Sequence, residues 1–482
     1  MFFDTPVYAL FLTLVVLVYW RLEWRRQNQM LLAASYLFYG WWDVRFLGLI
    51  AASTIVDYYC ARAIARSDDM RRRRTLLVVS LAVNLGFLGA FKYFNFFVDS
   101  FAVLLEGLGF SNVPVTTLRI LLPPGISFYT FQEVAYIVDV YHRKLEPADS
   151  LLEYALFISL FPHLIAGPIQ RPSHLLPQVQ TGRVFDQERF FSGLMLILSG
   201  LFRKTVIADN CALLADAAFS GRWGEPNLAT VAIGTYAFAW QIYGDFSGYS
   251  DIARGSAQLL GFHFMVNFRQ PYLATSLQDF WRRWHISLSS WLRDYLYIPL
   301  GGSRHGEAQT YRNLMLTMLL GGLWHGANWT FVVWGGIHGA GLAVERFLTR
   351  ARQVVGLKTD APDDSGGAGL FALRPWLSRI VIFHLVCLAW IFFRAESVGG
   401  AFHMLRGLGT LAWTPEYGIA LRFLVIFTLP LFLVDLINEA RDEEYVFETA
   451  VNVRRVATGL AMMVLVAVFA ANQLNAFIYF RF

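Results

Sequence analysis

Charge is scarce in this chain. Asp, Glu, Lys and Arg make up 16% of its 482 residues, well below the roughly 25% of soluble domains, while 56% are hydrophobic and the mean hydropathy is +0.45. A soluble globular protein is excluded. Cysteine is scarcer still: Cys60, Cys211 and Cys387 lie far apart in or beside apolar runs, without metal-ligand spacing. They read as small buried hydrophobes. No soluble segment is long enough to hold an active site. No internal repeat is visible, which disfavours the common transporter plans. The first apolar run has neither a basic stretch before it nor a small-residue cleavage site after it, and so reads as a retained span rather than a signal peptide.

What is present is a succession of apolar runs. A hydrocarbon core about 30 Å thick needs about 20 apolar residues per helix, and lipid cannot satisfy an irregular backbone. The expectation is an all-α polytopic membrane protein with on the order of 10 to 12 spans plus re-entrant or interfacial helices, a single embedded domain over 1–482. Runs fall at 6–20, 29–42, 45–60, 76–98, 151–169, 190–219, 229–243, 380–393, 419–437 and 457–477, with a partial one at 401–413. Another starts near 118 and is broken by Pro123, Pro124 and Gly125. Arg21, Arg25 and Arg26 and the block Arg62, Arg66 and Arg71 to Arg74 fall on one side by alternation, which the positive-inside rule makes cytoplasmic. The N terminus and the C-terminal FIYFRF are then outside. The polar stretch 350–378, with APDDSGGAG inside it, is a cytoplasmic linker-like loop. The net charge of +5 is an orientation signal and not a nucleic-acid footprint.

Chemistry must therefore come from groups between helices. The run 313–339 carries His325 among Gly321, Gly322, Trp324, Gly326 and Asn328. An ionisable group at membrane depth is a functional candidate by default. A histidine in a restricted cavity suits general-base activation of a hydroxyl, worth about 10² to 10⁴ in rate; it equally suits a hydrogen-bonded core role. In 279–304, Trp281, Trp284, Leu288, Trp291, Leu292 and Tyr295 recur at helical spacing, fitting a helix in or dipping from the interface. His285 sits there beside Arg282 and Arg283, which could receive donor phosphates or lipid headgroups. Asp245, Ser247, Ser250 and Asp251 alternate with glycines, as either interhelical polar glue or a substrate contact. His163 reads as a headgroup-level or helix-end residue, and His338 and His384 as interfacial or packing residues.

RRWHISLSSWLRDYLYIPLGGSR (282–304) and GGLWHGANWTFVVWGGIHG (321–339) resemble the membrane-bound O-acyltransferase family, in its bacterial branch typified by alginate O-acetyltransferases. YIVDVYHRK, PHLIAGPIQRP, QIYGDFSGYSDIA and FIYFRF are similar to that branch too, though Gly244 stands where a bulkier residue is expected. The resemblance implies a helical bundle with a thinned centre and a central tunnel joining the two membrane faces. It makes His325 catalytic and sets His285 toward the cytoplasmic mouth, with Trp324, Asn328, Trp284, Arg282, Arg283 and Asp245 as candidate tunnel residues. The implied donor is a cytoplasmic thioester, acetyl-CoA or a carrier-protein thioester, with no bound cofactor and no metal. An exported polysaccharide would be acetylated at the bacterial inner membrane, with an extracytoplasmic serine-hydrolase-like partner. Two other readings stand beside it: a transporter or flippase with His325 as proton relay, and an acyltransferase acting on lipid or protein.

Overall fold

The computed structural model describes residues 1–110, 121–165, 167–354, 373–445, 453–471 and 477–478. Most of the 350–378 loop, the start of the run near 118 and most of FIYFRF lie outside these residues. Every regular element among them is helical. The chain runs through α1 (Pro6–Tyr19), α2 (Trp24–Gly40), α3 (Arg45–Ala65), α4 (Met70–Leu88), α5 (Phe94–Gly107), α6 (Ile126–Tyr141), α7 (Leu151–Ser159), α8 (Phe161–Leu164), α9 (Pro172–Gln180) and α10 (Gln187–Leu201). It continues through α11 (Asp209–Phe219), α12 (Leu228–Leu259), α13 (Leu277–Arg283), α14 (Ile286–Leu292), α15 (Glu307–His325), α16 (Trp329–Val354), α17 (Leu373–Arg394), α18 (Val398–Gly407), α19 (Pro415–Arg441) and α20 (Val453–Phe469). Wider π-type turns join α4 to α5, α10 to α11, and follow α14.

Among the described residues, five stretches are long and apolar enough to cross a membrane: Arg45–Ala65, Met70–Gly107, Gln187–Phe219, Leu373–Arg394 and Pro415–Arg441. Together they make this a membrane protein. Other long helices turn polar residues inward: α12 buries Gln241, Asp245, Ser247, Ser250 and Asp251, which lowers its hydropathy without exposing charge. The run 401–413 is the ten-residue α18, matching a partial span.

The chain forms two compact units. The first holds residues 1–194 and 253–265. Thr5 caps α1 by accepting from Tyr8 N–H, with Pro6 at the first helical position, where its missing N–H costs nothing. The far end of α12 is tied to α1: Tyr8 donates to Ser256 Oγ at 2.8 Å and Trp20 Nε1 to Leu259 O at 2.9 Å. Pro123, Pro124 and Gly125 end the approach to α6, and Gly125 has φ 73° with Leu164 O against it, a place no side chain fits. His163 lies in the last turn of the four-residue α8, as a helix-end residue, and is fully buried in this unit. Its Nδ1 meets Gln132 Nε2 and its Nε2 meets Phe157 O, each at 3.1 Å.

The second unit holds residues 195–252 and 266–482. α12 packs on the turn after α10 through facing glycines. A Cβ on Gly200 would lie 2.5 Å from Gly248 O, and one on Gly248 2.7 Å from Gly200 O, so the backbones touch directly.

Candidate active site

All the singled-out residues except His163 fall in the second unit. The run 313–339 folds as a hairpin rather than a single span. Met318 and Gly322 of α15 face Phe331 and Gly335 of α16, and a side chain at Gly322 or Gly335 would strike the opposite backbone carbonyl. α15 ends because Gly326 is extended (φ −164°, ψ 152°) and Asn328 starts the next helix. Asn328 Oδ1 accepts from Thr330 N–H at 2.9 Å and its Nδ2 donates to Glu396 O at 3.0 Å. Its amide is thus spent on capping, and His325 is the last residue of α15, 3% exposed.

Aromatic rings surround His325. Trp324 and Trp334 have centroids 5.0 Å away and Phe393 5.3 Å, all roughly edge to face. His285 is 6.4 Å away and Trp324 lies 5.9 Å from it. The two imidazoles, 40 residues apart in sequence, thus share one buried chamber. Their rings are too far apart to bond directly.

His285 is aimed by its backbone. The segment 279–304, expected as one interfacial helix, breaks at Trp284 and His285 because Asn267 captures the chain. Asn267 O accepts from Ile286 N–H at 2.9 Å, and Arg283 O accepts from Arg269 N–H at 2.9 Å. Asn267 Oδ1 further takes Ser287 Oγ–H at 2.8 Å and Ser287 N–H at 3.3 Å. His285 itself adopts φ 43°, an uncommon state for a non-glycine residue, and is fully buried. Its Nδ1 lies 3.1 Å from the same Asn267 Oδ1, whose amide is oriented by donating Nδ2–H to Ser250 at 3.0 Å. An acceptor there assigns the proton to Nδ1 and makes Nε2 the accepting nitrogen. Phe246 meets the ring edge to face at 4.6 Å.

The remaining candidates separate. Trp284 is buried against Phe280, Tyr272 and Trp390 and forms the chamber wall. Arg283 is engaged by Glu439 at 2.6 Å and Asp279 at 2.8 Å. Burial opposes its charge, but these two carboxylates more than offset that and raise its pKa. Arg282 is exposed, so the two neighbours face different surroundings. Asp245 pairs with Lys204 Nζ at 2.9 Å, Lys204 also pairs with Asp209 at 2.8 Å, and Asp245 accepts from Ile478 N–H at 2.6 Å. Phe477 stacks on Tyr249 at 4.3 Å. Asp245 thus ties Lys204 to the backbone at Ile478. His338 is packed among Phe280, Trp281 and Trp334, and exposed His384 meets Tyr236 OH at 2.8 Å. Asn267, Trp334 and Phe393 were not singled out from the sequence. Among the described residues no three His, Cys, Asp or Glu side chains gather as metal ligands.

The arrangement sets two buried imidazoles, one of them oriented by Asn267, among aromatic rings, and imidazoles can move protons to and from a substrate. The chain is also similar to known proteins. Residues 148–388 match the family model described as membrane-bound O-acyltransferase. The chain is 44% identical over 420 residues to a probable alginate O-acetylase of Azotobacter vinelandii, covering 86% of this chain and 79% of that protein. It is 35% identical to a peptidoglycan O-acetyltransferase of Helicobacter pylori, covering 84% and 79%. It is 28% identical to a teichoic acid D-alanyltransferase of Streptococcus thermophilus, covering 62% and 75%.

Proposed function

This chain belongs to the membrane-bound O-acyltransferase family and is an O-acyltransferase, and from that premise we propose that it carries acetyl across the bacterial inner membrane for O-acetylation of an exported polysaccharide. The observation that carries the proposal is the meeting of His325 and His285 in one buried chamber. Relatives named for alginate, peptidoglycan and teichoic acid support a polymeric, cell-surface acceptor. The basic loops support a cytoplasmic donor side and termini outside. Acetyl-CoA is the donor, with a carrier-protein thioester as the other form of the same chemistry, and an extracytoplasmic serine-hydrolase-like protein completes delivery.

The reaction needs few parts. The acceptor hydroxyl oxygen attacks the thioester carbonyl carbon while His325 takes its proton. The C–O bond forms, the C–S bond breaks, and the proton passes from His325 to the departing thiolate. The imidazolium that forms on His325 in this step lies at the C-terminal end of α15, where unpaired carbonyls favour positive charge. His285 positions the donor or acceptor with its Nε2 edge, held by Asn267. Aromatic walls exclude water, which would otherwise hydrolyse the thioester.

The test is release of thiol from labelled acetyl-CoA by purified protein in nanodiscs, with the acceptor partner added. Wild type should turn over, His325→Ala should lose about 10² to 10⁴ of the rate, and His285→Ala should lose less. A fully active His325→Ala protein that is correctly folded would overturn the assignment.

A further inference from the structure

The first unit encloses two carboxyl groups that acyl transfer does not use. Asp57 on α3 and Glu133 on α6 are both 0% exposed, and α3 is one of the stretches apolar enough to cross the membrane. Ionisable groups in such helices are costly and demand a partner. Asp57 accepts from Ser80 Oγ at 2.5 Å, Asn84 Nδ2 at 2.8 Å and Tyr154 OH at 3.4 Å. Glu133 Oε1 accepts from Ser53 Oγ at 2.7 Å. Ser53, which holds Glu133, precedes Asp57 by four residues and so lies about one helical turn from it on the same face of α3.

Every one of those contacts is with a neutral group. The unit's nearby cations are engaged elsewhere: Lys92 with Ser127 Oγ at 3.3 Å, Arg62 with Tyr58 and Asp149 O, Arg73 with Tyr141 O. Two atoms of the cluster are left over. Glu133 Oε2 and Asn84 Oδ1 have no hydrogen-bond partner among the described residues, and Asn84 is 1% exposed with its amide already seated on Asp57. Leaving buried acceptors unmet is costly. Both are oxygens beside a second carboxyl group, which a cation or a proton can meet. An all-oxygen shell selects a hard cation.

We propose that Glu133, Asn84, Asp57 and Ser53 form a binding site for a dehydrated monovalent cation, sodium, which clamps α3, α4 and α6 together. One sodium ion and one retained proton bring the pair of carboxyls to neutrality. The ion stabilises the folded unit by mass action, because the unfolded chain has no such cage. The site stands independently of the acyl-transfer reading.

Thermal melting of the purified protein, titrated with NaCl against choline chloride at constant ionic strength and fixed pH, tests it. The melting temperature should rise saturably with sodium and much less with potassium, and the rise should vanish in Glu133→Gln and in Asn84→Leu. Wild type should also retain labelled sodium through rapid desalting, a readout that holds even if a variant fails to fold. A melting temperature indifferent to sodium overturns the proposal, as does a sodium response that survives in both variants. Melting that depends on pH alone would mean that protons fill the site, and would overturn it too.

Discussion

Asn267→Ala isolates the part of the chamber that aims His285. One oxygen, Asn267 Oδ1, serves His285 Nδ1–H at 3.1 Å, Ser287 Oγ–H at 2.8 Å and Ser287 N–H at 3.3 Å. Ser287 Oγ can rotate to another acceptor; the imidazole cannot do so without turning its Nε2 edge. A buried hydrogen bond lost without replacement costs about 1–3 kcal/mol, which corresponds to a fall in kcat/KM of roughly 5- to 150-fold and a comparable loss of stability. Asn267→Asp keeps the accepting oxygens and gives up the bond to Ser250, so it should retain more activity than the alanine variant. The assay is thiol release in nanodiscs with melting measured in parallel. An Asn267→Ala protein that melts as wild type and turns over within about twofold of it would refute the idea that this amide orients His285.

Other contacts carry their own expected outcomes. Gly322→Ala and Gly335→Ala should each cost about 1–3 kcal/mol and depress turnover by prying apart the hairpin that carries His325. Gly336→Ala, whose nearest neighbour would be Leu319 Cδ2 at 3.5 Å, should be tolerated, and melting with turnover distinguishes them. Lys204→Met leaves Asp209 and Asp245 buried without their cation and should destabilise by about 3–5 kcal/mol; adding Asp245→Asn should recover part of the melting temperature. Asn328→Ala should lose about 0.5–2 kcal/mol of stability as a helix cap with kcat nearly unchanged. A large kcat loss at unaltered stability would return Asn328 to the reacting site.

Much of the chamber was legible because its chemistry is local in sequence. His325 was marked by being ionisable in an apolar run, and Gly322 by being a small residue where backbones can meet, whereas Gly335, which faces it, was not singled out. The break inside 313–339 was harder to see, since apolar helices on either side of Gly326 look continuous to a hydropathy window. His285 looked like one position on an amphipathic helix. The chain is bent there by Asn267, 18 residues upstream, and a long-range hydrogen bond leaves no trace in periodicity. Arg283 showed its charge but not Glu439, 156 residues away, which engages it. The membrane helices divide in the same way. α19 faces outward with exposed apolar side chains such as Ile419, Ile426 and Leu433 and reads plainly, whereas α12 buries its polar face and is visible only by its glycines.

The left-handed residue between α13 and α14 has a consequence for length variation. Each residue added to a helix rotates the downstream segment by about 100°, and α13 and α14 have only seven residues each, too few to absorb a shift in register. One inserted or deleted residue between Ser276 and His285 would swing the imidazole away from Trp324 and detach Asn267 from the backbone it holds. Homologous enzymes can therefore exchange side chains in this stretch far more readily than they can lengthen or shorten it, and its spacing from Asn267 works as a ruler.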